Sequence, residues 1–187
     1  MEALKKEKNY YTYADYLTWD DDARYELIDG VPYLMSPAPG RRHQGISSEI
    51  HRQLANFLKG KSCKVYSAPF DVRLNADEAD DTVVQPDILV VCDKSKLDER
   101  GCKGAPDMVI EILSPSTIRH DKVKKLQLYQ KTGVREYWIV TPDQKTIDVY
   151  TLEEGKYFAA VYSDTDVAPV HVLEGCEITL QDVFGEV

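Results

Sequence analysis

Cysteine is scarce in this chain, and so are long apolar runs and basic residues. The four cysteines, Cys63, Cys92, Cys102 and Cys176, stand singly among 187 residues. Their spacings match no zinc knuckle, and their density is far below that of a disulfide-stapled secreted domain. Four reduced thiols in a cytoplasmic protein are therefore expected. No apolar stretch approaches the ~20 residues of a membrane span; Ile88 to Cys92 covers five. Lys5, Lys6 and Lys8 have no apolar stretch behind them, so neither a secretory signal nor a membrane partner is expected. Lysine and arginine number 23 against 32 acids, a net charge of -9. Such a balance argues against a protein that coats nucleic acid by charge alone.

The deficit of bases is local. Residues 41–64 hold six bases and one acid, and residues 119–135 the same, whereas residues 150–187 hold eight acids and one base. A basic cleft between the first two stretches is compatible with the overall acidity. The length fits one domain spanning 1–187, with residues 1–9 read as a flexible N-terminus.

The patterning is that of a mixed sheet protein. Residues 10–22 carry a helical stripe of Tyr13, Tyr16 and Leu17 behind a Thr12 N-cap. Two apolar runs flank Asp29-Gly30, a hairpin signal, and Pro32 places the second strand at an edge. From Gln44 to Lys59, Ile46, Ile50, Leu54, Phe57 and Leu58 share one helix face. Short strands are expected at Lys64–Tyr66 and Phe70–Leu74, with an acidic loop over 75–82. Ile88–Val91 and Met108–Leu113 are apolar without alternation, the signature of strands covered on both faces. A helix over 118–132 ends at Gly133. A strand at Tyr137–Val140, a hairpin of Thr146–Leu152 with Tyr157–Tyr162, a strand at His171–Leu173 and a helical turn from Leu180 to Phe184 complete the chain. The order implies an α/β or α+β domain rather than a regular alternating βαβ protein.

Glu111 is the residue that asks for an explanation, because a lone carboxylate in Val109-Ile110-Glu111-Ile112-Leu113 is costly to bury unless it is paired or binds a cation. Two Pro-Asp pairs offer a second carboxylate. Asp107 lies four residues before Glu111 on the same strand, about 13 Å away at ~3.3 Å per residue. Magnesium–oxygen bonds are ~2.1 Å, so one ion does not bridge that span. Asp87, on another strand, can stand beside Glu111. Asp107 reads instead as a strand-entry or turn acid. Glu26, at the start of the hairpin, is either a third carboxylate near the metal or surface charge.

Cations are available nearby. Asp121, Lys125 and Tyr129 share one helix face, and Lys125 is either a solvated lysine or the charge that serves the site. Lys122 and Lys124 read most simply as solvated, yet Lys122, with Tyr129, is placed among the residues near substrate. Arg41, Arg42 and His43 precede a helix N-terminus, where they can touch phosphate; His43 can also cap that helix. A serine-hydrolase reading of Ser114 or Ser116 with His120 lacks the glycines of a nucleophile elbow.

These residues resemble a bacterial family of restriction-endonuclease-like proteins within the PD-(D/E)xK nuclease superfamily. The resemblance is carried by Tyr25-Glu26-Leu27-Ile28-Asp29-Gly30, Met35-Ser36-Pro37 with Arg42-His43, Val84-Gln85-Pro86-Asp87-Ile88, and Pro106-Asp107-Met108-Val109-Ile110-Glu111-Ile112-Leu113-Ser114-Pro115-Ser116-Thr117. It continues through Asp121, Lys125, Tyr129 and the run from Gly133 to Val140. The resemblance implies a restriction-endonuclease-like core, with a mixed central β-sheet flanked by helices and with added N- and C-terminal β-hairpins. It implies Asp87 and Glu111 as metal acids helped by Glu26, with Mg2+ as cofactor and Mn2+ as the alternative ion. One departure stands out. The superfamily lysine two residues after the second acid is Leu113 here, and Lys125 on the following helix is the candidate to replace it. The leading expectation is a magnesium-dependent endonuclease acting on DNA, working as a homodimer. Its alternative is a catalytically inactive nucleic-acid-binding or protein-interaction module on the same fold. Hydrolysis of a small phosphoester has no pocket motif behind it.

Overall fold

The computed structural model describes residues 8–20, 23–35, 38–114 and 120–185, without the side chains of 120–122. Most of the expected N-terminal segment 1–9, and Ser116 and Thr117, lie outside the described residues. The helices are α1 (Tyr13–Tyr16), α2 (Arg41–Leu58), α3 (Leu126–Thr132) and α4 (Leu180–Gly185). A π-helical turn over His120–Lys125 runs directly into α3. The strands are β1 (Tyr25–Ile28), β2 (Val31–Leu34), β3 (Lys64–Ser67), β4 (Asp71–Arg73), β5 (Val83–Val84), β6 (Ile88–Val91) and β7 (Leu97–Asp98). They continue as β8 (Gly101–Lys103), β9 (Met108–Ile112), β10 (Glu136–Thr141), β11 (Thr146–Glu153), β12 (Lys156–Ser163), β13 (Val167–Pro169) and β14 (Glu177–Thr179).

The central sheet has the order β12-β11-β10-β9-β6-β3, with β9 and β10 parallel and the other pairs antiparallel. Both apolar runs singled out from the sequence, β6 and β9, are buried along their whole length, and each is covered on two sides. On one face Ile46, Ile50, Leu54 and Leu58 of α2 pack on Ile88, Val90, Met108, Ile110, Trp138 and Val140. On the other, Leu128 and Tyr129 of α3 meet Leu89, Val109, Tyr137 and Ile139. Period-two alternation in the strands thus divides the core into two halves. Burial of a Leu or Ile side chain is worth about 1.5–3 kcal/mol, so these stripes fix where α2 and α3 dock.

A second sheet, β2-β1-β5-β4-β8-β7, covers the α3 side through Val72, Leu74, Val84 and Cys102. Its first hairpin turns at Asp29 (φ 49) and Gly30 (φ 73), the paired positive φ of a type I′ turn. A Cβ at Gly30 would come within 2.3 Å of the Tyr10 ring, so glycine is required there twice over. β2, which carries Pro32, is the edge strand, as a residue without an N–H donor dictates.

Several expectations are corrected. The short helix expected within 10–22 keeps its Thr12 N-cap but is a single turn, α1, and the Tyr11 amide before it donates to the Gly30 carbonyl instead of extending the helix. Residues 171–173 form a turn rather than a strand: the Val172 amide donates to Glu136 Oε2 and the Leu173 amide to the Val170 carbonyl. The short ladder of β13 with β14 takes that strand's place. Half of the thiol reading falls as well. Lys64 pairs with Val91 in the β3–β6 ladder, so the next step brings Cys63 opposite Cys92, and they form a disulfide. Cys102 and Cys176 are buried and free, their thiols pushed up to about 11 by burial. Unfolding the unreduced protein in denaturant should therefore expose two titratable thiols rather than four; four would show that the bridge does not form.

Among the described residues no helix is long and apolar enough to cross a membrane.

Candidate active site

Three strand positions converge where β6 leaves Pro86. The ladder pairs Ile88 with Ile110, and the next antiparallel step sets Asp87 opposite Glu111. Directly opposed residues project to the same face, with Cβ atoms ~4.5–5.5 Å apart. Asp87 Oδ2 accepts from the Ile112 amide at 2.8 Å and lies 3.2 Å from His43 Nε2. The Asp87 carbonyl accepts from the Ala68 amide. Both ends of the residue are therefore anchored to backbone.

Glu111 is 4% exposed. Its Oε1 accepts from Lys125 Nζ at 2.8 Å and from the Tyr129 hydroxyl at 2.9 Å. Glu26, in the middle of β1 and fully buried, brings a second carboxylate to the same ammonium. Its Oε1 accepts from Lys125 Nζ at 2.8 Å and from the Gln85 amide at 3.1 Å. Glu26 Oε2 is buried without a hydrogen-bond partner. Lys125, itself 3% exposed, is aimed inward by the π-helical turn that it closes; such turns are frequent at functional sites. Burial and the neighbouring Glu111 push the Tyr129 hydroxyl well above its ordinary value, so it stays a hydrogen-bond donor.

The sequence candidates thus divide. Glu26, Glu111, Lys125 and Tyr129 form one bonded cluster, and Asp87, met by His43 of α2, enters the neighbouring strand opposite Glu111. Tyr129, expected near substrate, is fully buried with its hydroxyl turned to Glu111. Arg42 donates to Asp143 Oδ1 and the Pro142 carbonyl, which fastens the start of α2 to the β10–β11 turn. Arg41 is exposed, and the side chain of Lys122 lies outside the described residues. Asp107 accepts from the Cys92 amide and from Arg135, the strand-entry role read from its spacing. Leu113 is buried in the α3-side core.

One participant, Gln85, and one half-buried histidine outside the cluster, His51, escaped the sequence reading. Gln85 donates its backbone N–H to Glu26, accepts from Arg24 through Oε1, and donates through Nε2 to Tyr16 and Asp71. Its place immediately before Pro86-Asp87 was the available signal. His51, two turns along α2 from His43, has Nδ1 2.6 Å from Ser67 Oγ. Burial holds this imidazole below its ordinary value of 6.5. The unfolded chain then takes up the proton first, so stability falls as pH drops below about 6.5. His51→Gln should flatten the acid side of a stability–pH profile measured by urea unfolding between pH 5 and 7.

No three His, Cys, Asp or Glu side chains converge as a closed metal cage among the described residues. Magnesium does not need one. It is commonly held by one or two carboxylates while keeping several waters. Asp87 and Glu111 supply that donor set, and the unpartnered Glu26 oxygen leaves negative potential behind them. The residues fit a hard divalent cation.

Residues 13–181 match the profile of the family described as "Uma2: Putative restriction endonuclease". The chain belongs to the Uma2 family. Its match to the "Uncharacterized protein slr1290" of Synechocystis sp. is 26% identical over 156 residues, covering 81% of this chain and 80% of the relative. The crystal structure of a protein described as "a putative nuclease belonging to DUF820" from Anabaena variabilis superimposes with a TM-score of 0.74. The two share 23% identity, over 93% of this chain and 97% of the other. This Uma2 protein therefore has a restriction-endonuclease-like α+β fold, and its family supports a nuclease-like function.

Proposed function

We propose that the protein is a divalent-cation-dependent endonuclease that hydrolyses DNA phosphodiester bonds at the Asp87–Glu111 site. The observation that carries this reading is the position of Lys125 Nζ, 2.8 Å from both Glu26 and Glu111. That ammonium comes from the turn after β9 and pairs with Glu111, which supports its taking the part of the lysine that Leu113 replaces. Asp87 and Glu111 would hold Mg2+, or Mn2+ in its place. A bound ion of this kind lowers the pKa of water and offsets charge on a phosphoryl oxygen.

The chain's own residues supply the rest. Lys125 fixes the Glu111 carboxylate and adds positive charge where the phosphate becomes more negative. Tyr129 holds the same carboxylate from the other side of the cluster. His43 orients Asp87, and Arg41 and His43 form the basic border for the DNA backbone. Cutting both strands suits a twofold homodimer, each copy a single domain over 1–187 acting in the cytoplasm.

The test is nicking of supercoiled plasmid with Mg2+ or Mn2+. Asp87→Asn and Glu111→Gln are expected to lower the rate at least ~100-fold, the scale of losing a preorganised charge contact. Asp107→Asn, away from the cluster, should retain activity. Equal background nicking by all four proteins would sink the catalytic reading and leave the inactive binding module.

A further inference from the structure

We infer that Gln85 is a positioning residue for the cation site: its side chain locks, from outside the cluster, the chain segment that serves both Glu26 and Asp87. The inference rests on the reading of Asp87 and Glu111 as cation ligands. Gln85 follows β5, precedes Pro86-Asp87 and is 9% exposed. Its amide N–H donates to Glu26 Oε1 at 3.1 Å, the oxygen that also takes Lys125. That leaves Oε2 as the unpartnered end of the carboxylate. In the other direction Pro86 stiffens the link to Asp87. A proline ring fixes its own φ and confines the residue before it to extended conformations. A shift of Gln85 is therefore carried to Asp87.

The side chain is what holds this segment. A carboxamide has two acceptor lone pairs on its oxygen and two N–H donors, and here all four are used. Oε1 accepts from Arg24 Nε and Nη2. Nε2 donates to Asp71 Oδ1 at 2.8 Å and to the Tyr16 hydroxyl at 3.0 Å. The amide thus lies between a cation and an anion, and only one of its two flip orientations suits both. Turned over, its N–H2 would face Arg24 and its oxygen would face Asp71. The partners come from separate parts of the fold: Tyr16 is on α1, Arg24 precedes β1 and Asp71 opens β4. Asp71 Oδ2 accepts from the Tyr13 hydroxyl at 3.2 Å, so the two oxygens of that carboxylate have different duties. A buried polar network with every group satisfied specifies a single geometry. Here that geometry fixes the N–H on Glu26 and the Pro-Asp step that delivers Asp87.

Mn2+ binding to the full chain without nucleic acid tests this, with free Mn2+ read by electron paramagnetic resonance well below the thermal midpoint. Gln85→Ala should raise the Mn2+ dissociation constant about 10–100-fold, the effect of losing a group that supports metal ligands from behind. Gln85→Glu keeps an acceptor for Arg24 but sets a carboxylate against Asp71, and a similar rise is expected. Adding Asp71→Asn to Gln85→Glu should restore the constant to within about 3-fold of wild type, a coupling that a double-mutant cycle reads directly. The asparagine Nδ2 then stands where Oδ1 stood and donates back across the pair, while its oxygen still accepts from Tyr13. The double exchange has the wild-type net charge. Tyr16→Phe keeps the ring and removes one of the amide's partners, so it serves if Gln85→Ala does not fold. It should raise the constant about 3-fold, the scale of one neutral hydrogen bond. Variants that lose thermal stability yet bind Mn2+ as the wild type does would make Gln85 a purely structural residue and overturn the inference. So would a double exchange no better than Gln85→Glu alone. A wild type that binds no Mn2+ overturns the reading of the site itself, and the inference with it.

Discussion

Lys125→Met is expected to remove about 3–5 kcal/mol of stability, the scale on which a buried ion pair fails when one partner is lost. The methionine has a similar length and fills the same space, so packing loss is small and the effect is electrostatic. Lys125 Nζ is shared by Glu26 and Glu111, which are 0% and 4% exposed. Without the ammonium, two carboxylates converge in a low-dielectric environment, where like charges raise proton affinity. The folded variant then binds protons that the unfolded chain does not, so its stability rises as pH falls. Urea unfolding should show the largest deficit at pH 8 and a partial recovery at pH 5. Plasmid nicking should fall to background at both. A variant as stable as the wild type at pH 8 would mean that Lys125 does not neutralise the cluster.

The two strands that build this site were legible because they leave no ambiguity of period. Ile88–Val91 is apolar on every residue and Met108–Ile112 on every residue but Glu111, the pattern of a strand covered on both sides. Within such a strand Glu111 had to have a partner, which made the site visible before its geometry was. Lys125 was not decided in the same way. Helix phase from an α-helical period sets it next to Leu126 without saying which way its amine points, and the π-helical turn over His120–Lys125 shifts that phase. The second sheet was hidden for a different reason. β5 and β7 have two residues each, β8 three, too few for any periodicity to register. The Cys63–Cys92 bridge depends on the register between β3 and β6, which cysteine spacing alone does not contain. Glu26 was left open between site and surface because its neighbours on β1 are uninformative; what buries it is β5 and Gln85, both distant in sequence.

Glu26→Gln is expected to act on the fold in the opposite direction from Lys125→Met. Glu26 Oε1 accepts from Lys125 and from the Gln85 amide, while Oε2 is buried without a partner. An amide keeps the Oε1 acceptor and removes the charge. It also places an N–H2 where Oε2 stood, and an unsatisfied buried donor costs about 1–3 kcal/mol. The penalty of an incompletely compensated buried charge is several kcal/mol, so the charge term wins. A higher urea midpoint in the absence of divalent ions follows. Cation binding should move the other way. With one negative charge fewer behind Asp87 and Glu111, affinity for Mn2+ should drop about 10–100-fold, as for other groups that support metal ligands from behind. The Mn2+-induced rise in thermal midpoint, which scales with the logarithm of ligand concentration over dissociation constant, should shrink accordingly. The diagnostic is the pair of opposite signs in one variant. A stabler protein that responds less to Mn2+ identifies Glu26 as a carboxylate kept at a cost to the fold for the sake of the ion. A less stable protein with an undiminished Mn2+ response would reduce it to a structural partner of Lys125.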